Sequence, residues 1–180
     1  MAKKEAILGV SGSIAAYRAC DIVNSLRRAG ANVTVIMTKE AKEFVTPLTL
    51  QTLSRNKVYS EMFELPAEWS PVHTSLADMA DLILIAPACA NVIGKIANGI
   101  CDDLLTCVVL ASKAKTLIAP AMNEKMYLNP AVQDNIKKLK SRGIGFIGPI
   151  KGPLACGHDS IGHIADTASI ILEAKKLLKG

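Results

Sequence analysis

The chain has 180 residues, of which half are hydrophobic but only 4% aromatic, and its formal charge is +5. That length holds one domain with a proper core, and an aliphatic core suits a parallel sheet covered by helices. No apolar run approaches the roughly 20 residues needed to cross a bilayer.

The N-terminus, MAKKEAILGV, is charged and then turns into a strand, without the longer apolar stretch of a signal peptide. A cytoplasmic protein is the default expectation. The lysines cluster at Lys137, Lys138 and Lys140 and at Lys175, Lys176 and Lys179, both on helix faces. No aromatic or groove-reading element accompanies them, so neither nucleic acid nor membrane is expected as a partner. Cys20, Cys89, Cys101, Cys107 and Cys156 are odd in number and form no CxxC pair. They read as free thiols. Four lie in aliphatic or helical surroundings, as small core residues do. Cys156 stands apart in a glycine-rich segment, KGPLACGHDSIGH.

Strand and helix patterns alternate along the chain. A strand is expected over residues 5–10, then a helix over 14–29 with Ala15, Ala16, Cys20, Ile22, Val23 and Leu26 facing inward and Gly30 ending it. Gly12 and Ser13 stand at that helix start and offer N–H groups and a hydroxyl to a phosphate, or simply form a tight turn. The segment is neither GxGxxG nor a P-loop, so a mononucleotide phosphate fits better than a dinucleotide. A second strand is expected at 32–37. After it, Thr38 and Lys39 can serve the same phosphate, or Thr38 can cap the next helix. Residues 41–54 hold one helix or two, broken near Pro47, and 56–72 read as irregular.

His73 opens a short helix over 73–79; it is a candidate acid or base, or a surface residue. A third strand spans 81–86 and leads into Pro87-Ala88-Cys89-Ala90-Asn91, whose small residues would let a flat ring approach the backbone. Asn91 would read polar atoms there or cap a helix over 91–97. Helix 102–111, a fourth strand over 115–119, helix 129–142, a fifth strand at 145–147 and helix 167–178 complete the pattern. The expected fold is one α/β domain over 1–180, with a parallel sheet and right-handed crossovers. Ligands in such sheets bind beyond the carboxyl ends of the strands. That edge is where the small and polar segments fall, including Pro120-Ala121-Met122-Asn123, whose asparagine caps a helix or holds a polar ligand.

These segments together resemble the homo-oligomeric flavin-containing cysteine decarboxylases. The resemblance rests on SGSIAAY at 11–17, TKEA at 38–41, the His73 segment, APACANVIGKIANGICDDLLT at 86–106, APAMNEKMY at 119–127 and LACG at 154–157. The Pro-x-Met-Asn-x-x-Met block, Pro120 to Met126, is the most specific. The resemblance implies a Rossmann-like, flavodoxin-like doubly wound fold that binds FMN as a homotrimer or homododecamer, with FMN near subunit interfaces. It places Ser13, Ile14 and Ala15 with Thr38, Lys39 and Glu40 at the FMN phosphate. Cys89, Ala90, Asn91 and Val92 would lie along the flavin, and Ala121 in the same pocket. His73, Asn123 and Cys156 match the catalytic residues, with Asn123 on the substrate carboxylate and Cys156 returning a proton late. Met126 flanks the substrate.

The implied reaction is loss of CO₂ from a cysteine carboxylate, that of 4′-phosphopantothenoyl-L-cysteine in coenzyme A biosynthesis. The alternatives are a C-terminal peptidyl cysteine as substrate, or a non-catalytic FMN-binding regulatory subunit. A flavin prenyltransferase lacks this asparagine and histidine combination. Tyr127 stands where the family often has tryptophan, and His158, Ser160 and His163 depart from its loop pattern. A metal site from Cys156, His158 and His163 matches no common zinc spacing. The chain stops at Lys179-Gly180, without the ligase half of the bifunctional bacterial protein, as a stand-alone decarboxylase or a cut piece would.

Overall fold

The computed structural model describes residues 3–63, 71–153, 157 and 159–179. Four aliphatic runs form the centre of the sheet: β1 (Glu5–Val10), β2 (Asn32–Met37), β4 (Leu82–Ala88) and β5 (Lys115–Pro120). Two short strands, β3 (Val58–Tyr59) and β6 (Gly145–Phe146), close its edges. All neighbours are parallel, in the order β3-β2-β1-β4-β5-β6. That is the doubly wound order, and without the two-residue β3 it reduces to the flavodoxin order. β4 is buried along its whole length, as a strand covered on both faces must be.

The helices divide between the two faces. On one face α1 (Ala19–Arg28), α2 (Pro47–Ser54) and α8 (Thr167–Lys179) cover Leu8, Val10, Val35, Leu84 and Leu117. On the other, α3 (Val72–Met79), α4 (Ala90–Asn98), α5 (Leu104–Ala111) and α7 (Pro130–Ser141) cover Ile7, Ile36, Ile83, Ile85 and Ile118. The period-two alternation of side chains sends consecutive residues of β1 to opposite cores. Gly9 faces α5 so closely that an added Cβ would stand 2.6 Å from a Leu105 methyl carbon.

Several details differ from the sequence-based expectation. The first helix begins as a 3-10 turn, Ile14–Arg18, before α1. The segment after β2 divides into a 3-10 turn, Lys39–Glu43, and α2 with Pro47 in its first turn, where a missing N–H does no harm. β3 lies inside the stretch read as irregular. A short α6 (Glu124–Leu128) precedes α7. Residues 150–163 contribute an antiparallel hairpin, β7 (Ile150–Pro153) with β8 (Asp159–His163), that was not expected at all. Cys20 and Cys89 are partly buried against the two cores, whereas Cys101 is exposed and Cys107 only half-buried, so the reading as core residues is corrected for these last two. Both lysine clusters are exposed on α7 and α8.

Candidate functional site

The helix after β1 covers one face and the helix after β4 covers the other, so the chain parts between these adjacent strands. A crevice at the carboxyl edge is the consequence. Ser11, fully buried, closes its floor. Its hydroxyl donates to the Pro87 carbonyl at 2.8 Å and accepts from the Cys89 N–H at 2.9 Å, while its own N–H donates to the same Pro87 oxygen at 3.2 Å. One small side chain thereby fixes both strand exits.

A cleft of about 560 Å³ opens above this floor. Gly12, Ser13, Ile14 and Ala15 line it from the β1 exit, Cys89 from the β4 exit, and Ala121, Met122, Asn123 and Met126 from the β5 exit. The hairpin supplies Pro153, Gly162 and His163. A larger groove, about 840 Å³, runs between α1 and α8. It lies along the helices and off the strand ends, and it draws on the cleft only through His163 and Ile164.

Three helix starts converge on the cleft. Ser13 caps the first 3-10 turn, its hydroxyl accepting from Ala15 N–H at 3.3 Å. Cys89 is the N-cap of α4. Asn123 is the N-cap of α6, its Oδ1 accepting from Lys125 N–H at 2.9 Å. Helix starts present N–H groups and partial positive charge, which favour anionic groups. At the β2 exit, Thr38 N–H donates to the Val10 carbonyl at 3.0 Å, but the buried Thr38 Oγ1 has no hydrogen-bond partner. The capping role open to Thr38 is not taken up. Gly12 packs against Glu40 so tightly that any Cβ there would collide with that side chain. A buried hydroxyl without a partner is costly unless a ligand meets it. Thr38, Lys39 and Glu40 do not themselves line the cleft but adjoin its β1 end, through the Thr38 N–H bond to Val10 and the Gly12–Glu40 packing, so the polar groups gather at that end and the remaining walls are mostly apolar.

The structure therefore brings Gly12, Ser13, Ile14, Ala15, Cys89, Ala121, Asn123 and Met126 together. Lys39 and Glu40 are exposed on the turn after Thr38. Ala90 opens α4, Asn91 is exposed, and the Val92 side chain is buried in the core on the α4 side. His73 lies in the first turn of α3, on that same side, and does not line the cleft of its own chain. Cys156 and His158 lie outside the described residues. Among the described residues no cluster of three potential metal ligands occurs.

Ser11, Tyr17, Phe44 and Gly162 were not foreseen as site residues. Gly162 has φ +132°, and a Cβ there would run into the Met122 carbonyl. Its own carbonyl accepts from Met122 N–H at 3.1 Å, which pins β8 to the loop that carries Asn123. Ile14, Tyr17, Phe44 and Met126 are about half exposed around the mouth, an apolar rim.

The fold and cleft define a doubly wound α/β protein with a mostly apolar slot, polar at its β1 end, at its topological switch point. Residues 1–179 match the family described as Flavoprotein, and the chain belongs to that family. It is 50% identical over 173 residues to the coenzyme A biosynthesis bifunctional protein CoaBC of Bacillus subtilis (strain 168), covering 96% of this chain and 43% of the relative. It spans less than half the length of the first curated relatives it matches. It is 45% identical over 177 residues to a Streptococcus mutans protein named "Probable phosphopantothenoylcysteine decarboxylase", covering 97% of this chain and 99% of that one. Among solved structures, a PPC decarboxylase mutant complexed with pantothenoylaminoethenethiol superposes at a TM-score of 0.88 and 30% identity, over 99% of this chain and 100% of the other. The FMN binding protein AtHal3 superposes at 0.85 and 31% identity, over 99% and 98%.

Proposed function

We propose that the cleft binds FMN and that the chain decarboxylates 4′-phosphopantothenoyl-L-cysteine to 4′-phosphopantetheine, a step of coenzyme A biosynthesis. The observation that carries this reading is the placement of Asn123. It caps a helix at one end of a mostly apolar slot whose other end is lined by the backbone of Gly12 and the Ser13 turn. The unpartnered Thr38 hydroxyl and the Gly12 backbone suit the FMN phosphate, together with Ser13, Ile14, Ala15, Lys39 and Glu40. Cys89, Ala90, Asn91 and Val92 would approach the ring, the last three through backbone or exposed atoms, and Ala121 would lie beneath it. The family match and the names of its relatives support the same cofactor and substrate.

FMN supplies a reversible two-electron sink at the substrate thiol, so that the adjacent carboxylate can leave as CO₂. The protein's part is positioning and proton handling. The Lys125 N–H holds Asn123 Oδ1, which orients the amide at the cleft, and the amide N–H₂ is the donor assigned to the substrate carboxylate. A neutral donor orients that carboxylate without opposing its conversion to neutral CO₂, as an ammonium would. Met122 and Met126 keep water from the reacting carbon. Cys156 is assigned the late proton.

His73 is assigned the acid–base role, and its position constrains the assembly. Among the described residues it does not line the cleft of its own chain, and on this reading it would serve a cleft in a second copy. A homotrimer, or a homododecamer of such trimers, with FMN near the interfaces meets that need. The apolar rim of Ile14, Tyr17, Phe44 and Met126 is the surface such a neighbour would cover.

The test is to incubate the purified protein with 4′-phosphopantothenoyl-L-cysteine while following CO₂, product mass and the visible spectrum. A flavin spectrum with 4′-phosphopantetheine formed is the expected result. Flavin without turnover would shift the reading to a peptidyl-cysteine substrate or a regulatory role, and a cysteine-ended peptide tells these apart. Neither flavin nor turnover would defeat the reading.

A further inference from the structure

Three sulfur-bearing residues outside the cleft, Met62, Cys101 and Cys107, meet at the start of α5. Asp103 caps that helix, its Oδ1 accepting from Thr106 N–H at 2.8 Å and from the Thr106 hydroxyl at 3.0 Å. Lys95 pairs with Asp102 at 2.8 Å and with Asp103 at 3.1 Å, holding the loop that leads into the helix. Cys101 is exposed in this loop, and Cys107 is half-buried in the first turn of α5. The Cys107 thiol donates to the Cys101 carbonyl at 3.4 Å and lies 3.4 Å from Met62 Sδ. A carbonyl oxygen is two bonds from its own α-carbon. The Cys107 sulfur thus stands beside Cys101 and interacts with its side chain, while the Cys101 thiol points to the Gly99 carbonyl at 3.9 Å, so closing a disulfide takes a rotation of the exposed Cys101 side chain.

We infer that Cys101 and Cys107 form an oxidisable pair that hydrogen peroxide closes to an intramolecular disulfide. The two thiols have unequal parts. Burial, then the neighbouring Cys101, push the Cys107 thiol up, so at neutral pH it is a poor first nucleophile. Cys101, exposed, meets the peroxide. Its sulfur attacks one peroxide oxygen, the O–O bond breaks, and the departing hydroxide takes the thiol proton and leaves as water. The product is a sulfenic acid. The Cys107 sulfur then attacks the Cys101 sulfur, the S–S bond forms, and the S–O bond breaks. The hydroxyl leaves as a second water with the Cys107 proton. Two thiols lose two electrons and one peroxide gains them.

Neither cysteine lines the cleft, so the chemistry is separate from the decarboxylase reading. It is nonetheless connected to α3, the helix that carries His73. α5 packs along α3, and the Ser112 hydroxyl at the end of α5 donates to the Ala77 carbonyl at 2.8 Å.

Trypsin cutting after Lys95 and Lys113 releases residues 96–113, a peptide with both cysteines and no others. The experiment exposes the purified flavin-loaded protein to hydrogen peroxide, unfolds it in an alkylating agent, digests it and weighs this peptide. The expected peptide takes up no alkyl group, is about 2 Da lighter than the dithiol form, and returns to it with dithiothreitol. In Cys101→Ser, an exposed substitution that leaves the fold intact, Cys107 should remain fully alkylatable after the same exposure. Cys101 recovered as a sulfinic acid or in an intermolecular bridge, with Cys107 still alkylatable, would overturn the pairing. So would loss of the Cys107 thiol in Cys101→Ser.

Discussion

The two walls of the cleft are built on different principles. The wall at the β1, β2 and β4 exits is backbone, tied by the buried Ser11 and packed without slack at Gly12. The wall at the β5 exit is assembled from a five-residue helix and a two-stranded hairpin, with Met126 about half exposed. A cofactor that stays bound needs a fixed cradle. A substrate that enters and leaves needs a wall that can be made locally. On the proposed reading, the difference would separate holding from turnover: the fixed wall stands where sheet strands end together, and the other is made of short elements added on.

Substitutions can break this comparison. The largest effect is expected from Asn123→Asp. Aspartate caps a helix as well as asparagine does, so α6 should persist, while a second carboxylate faces that of the substrate. Like-charge juxtaposition costs several kcal/mol, so kcat/KM should fall by roughly 100-fold or more with the flavin spectrum retained. Unchanged turnover would remove Asn123 from the substrate wall.

Ser11→Ala addresses the fixed wall. It leaves the part-buried Cys89 N–H without its acceptor and should lower unfolding free energy by about 1 kcal/mol or more in a denaturant titration. A smaller loss would mean that the strand exits are held by something other than this hydroxyl.

Thr38→Val sharpens the distinction between stability and binding. The hydroxyl has no partner among the described residues, so the apoprotein should be at least as stable, while FMN should bind more weakly by about 1 kcal/mol in a fluorescence titration. Equal FMN affinity would take Thr38 out of the cradle.

The smallest effect concerns the opposite end of the sheet. Asp81 accepts from the Glu5 N–H at 2.8 Å and from Lys4 Nζ at 3.0 Å, and these bonds, the backbone one first, hold its carboxyl below the ordinary range. A depressed folded value means that its contribution is present above the unfolded pKa, about 3.9, and fades as pH falls through the folded value. The pair is partly exposed, so the advantage of the wild type over Asp81→Asn should stay below about 1 kcal/mol at neutral pH and vanish in acid. A pH-independent difference would show that charge is not the cause.

The fixed wall was largely legible in the sequence, and the added wall only in part. Continuous runs such as LILIAPA and NVTVIM can bury both faces of a strand, and their bounds were recovered at β1 and β2 to the residue. The β7–β8 hairpin was missed because its residues, glycine- and proline-rich with few apolar side chains, show no alternation to read. Asn123 was visible through its motif, and the structure shows that capping and facing the cleft are compatible rather than rival roles. Ser11 was not singled out, because its partners lie about 76 residues away in sequence. A small polar residue directly after a run of buried ones was the available signal. His73 was legible as a residue type but not in position, since the sequence alone does not say which cleft it reaches.

The hairpin is bonded to the body at Gly162 and Met122 and shares no ladder with the main sheet. It is therefore an appendage whose length and composition can be exchanged without re-registering any central strand. Grafting residues 150–163 between members of the family would move one face of the pocket as a cassette. Such a graft must keep the glycine at its root, where a Cβ would meet the Met122 carbonyl, and on the proposed reading a cysteine at position 156.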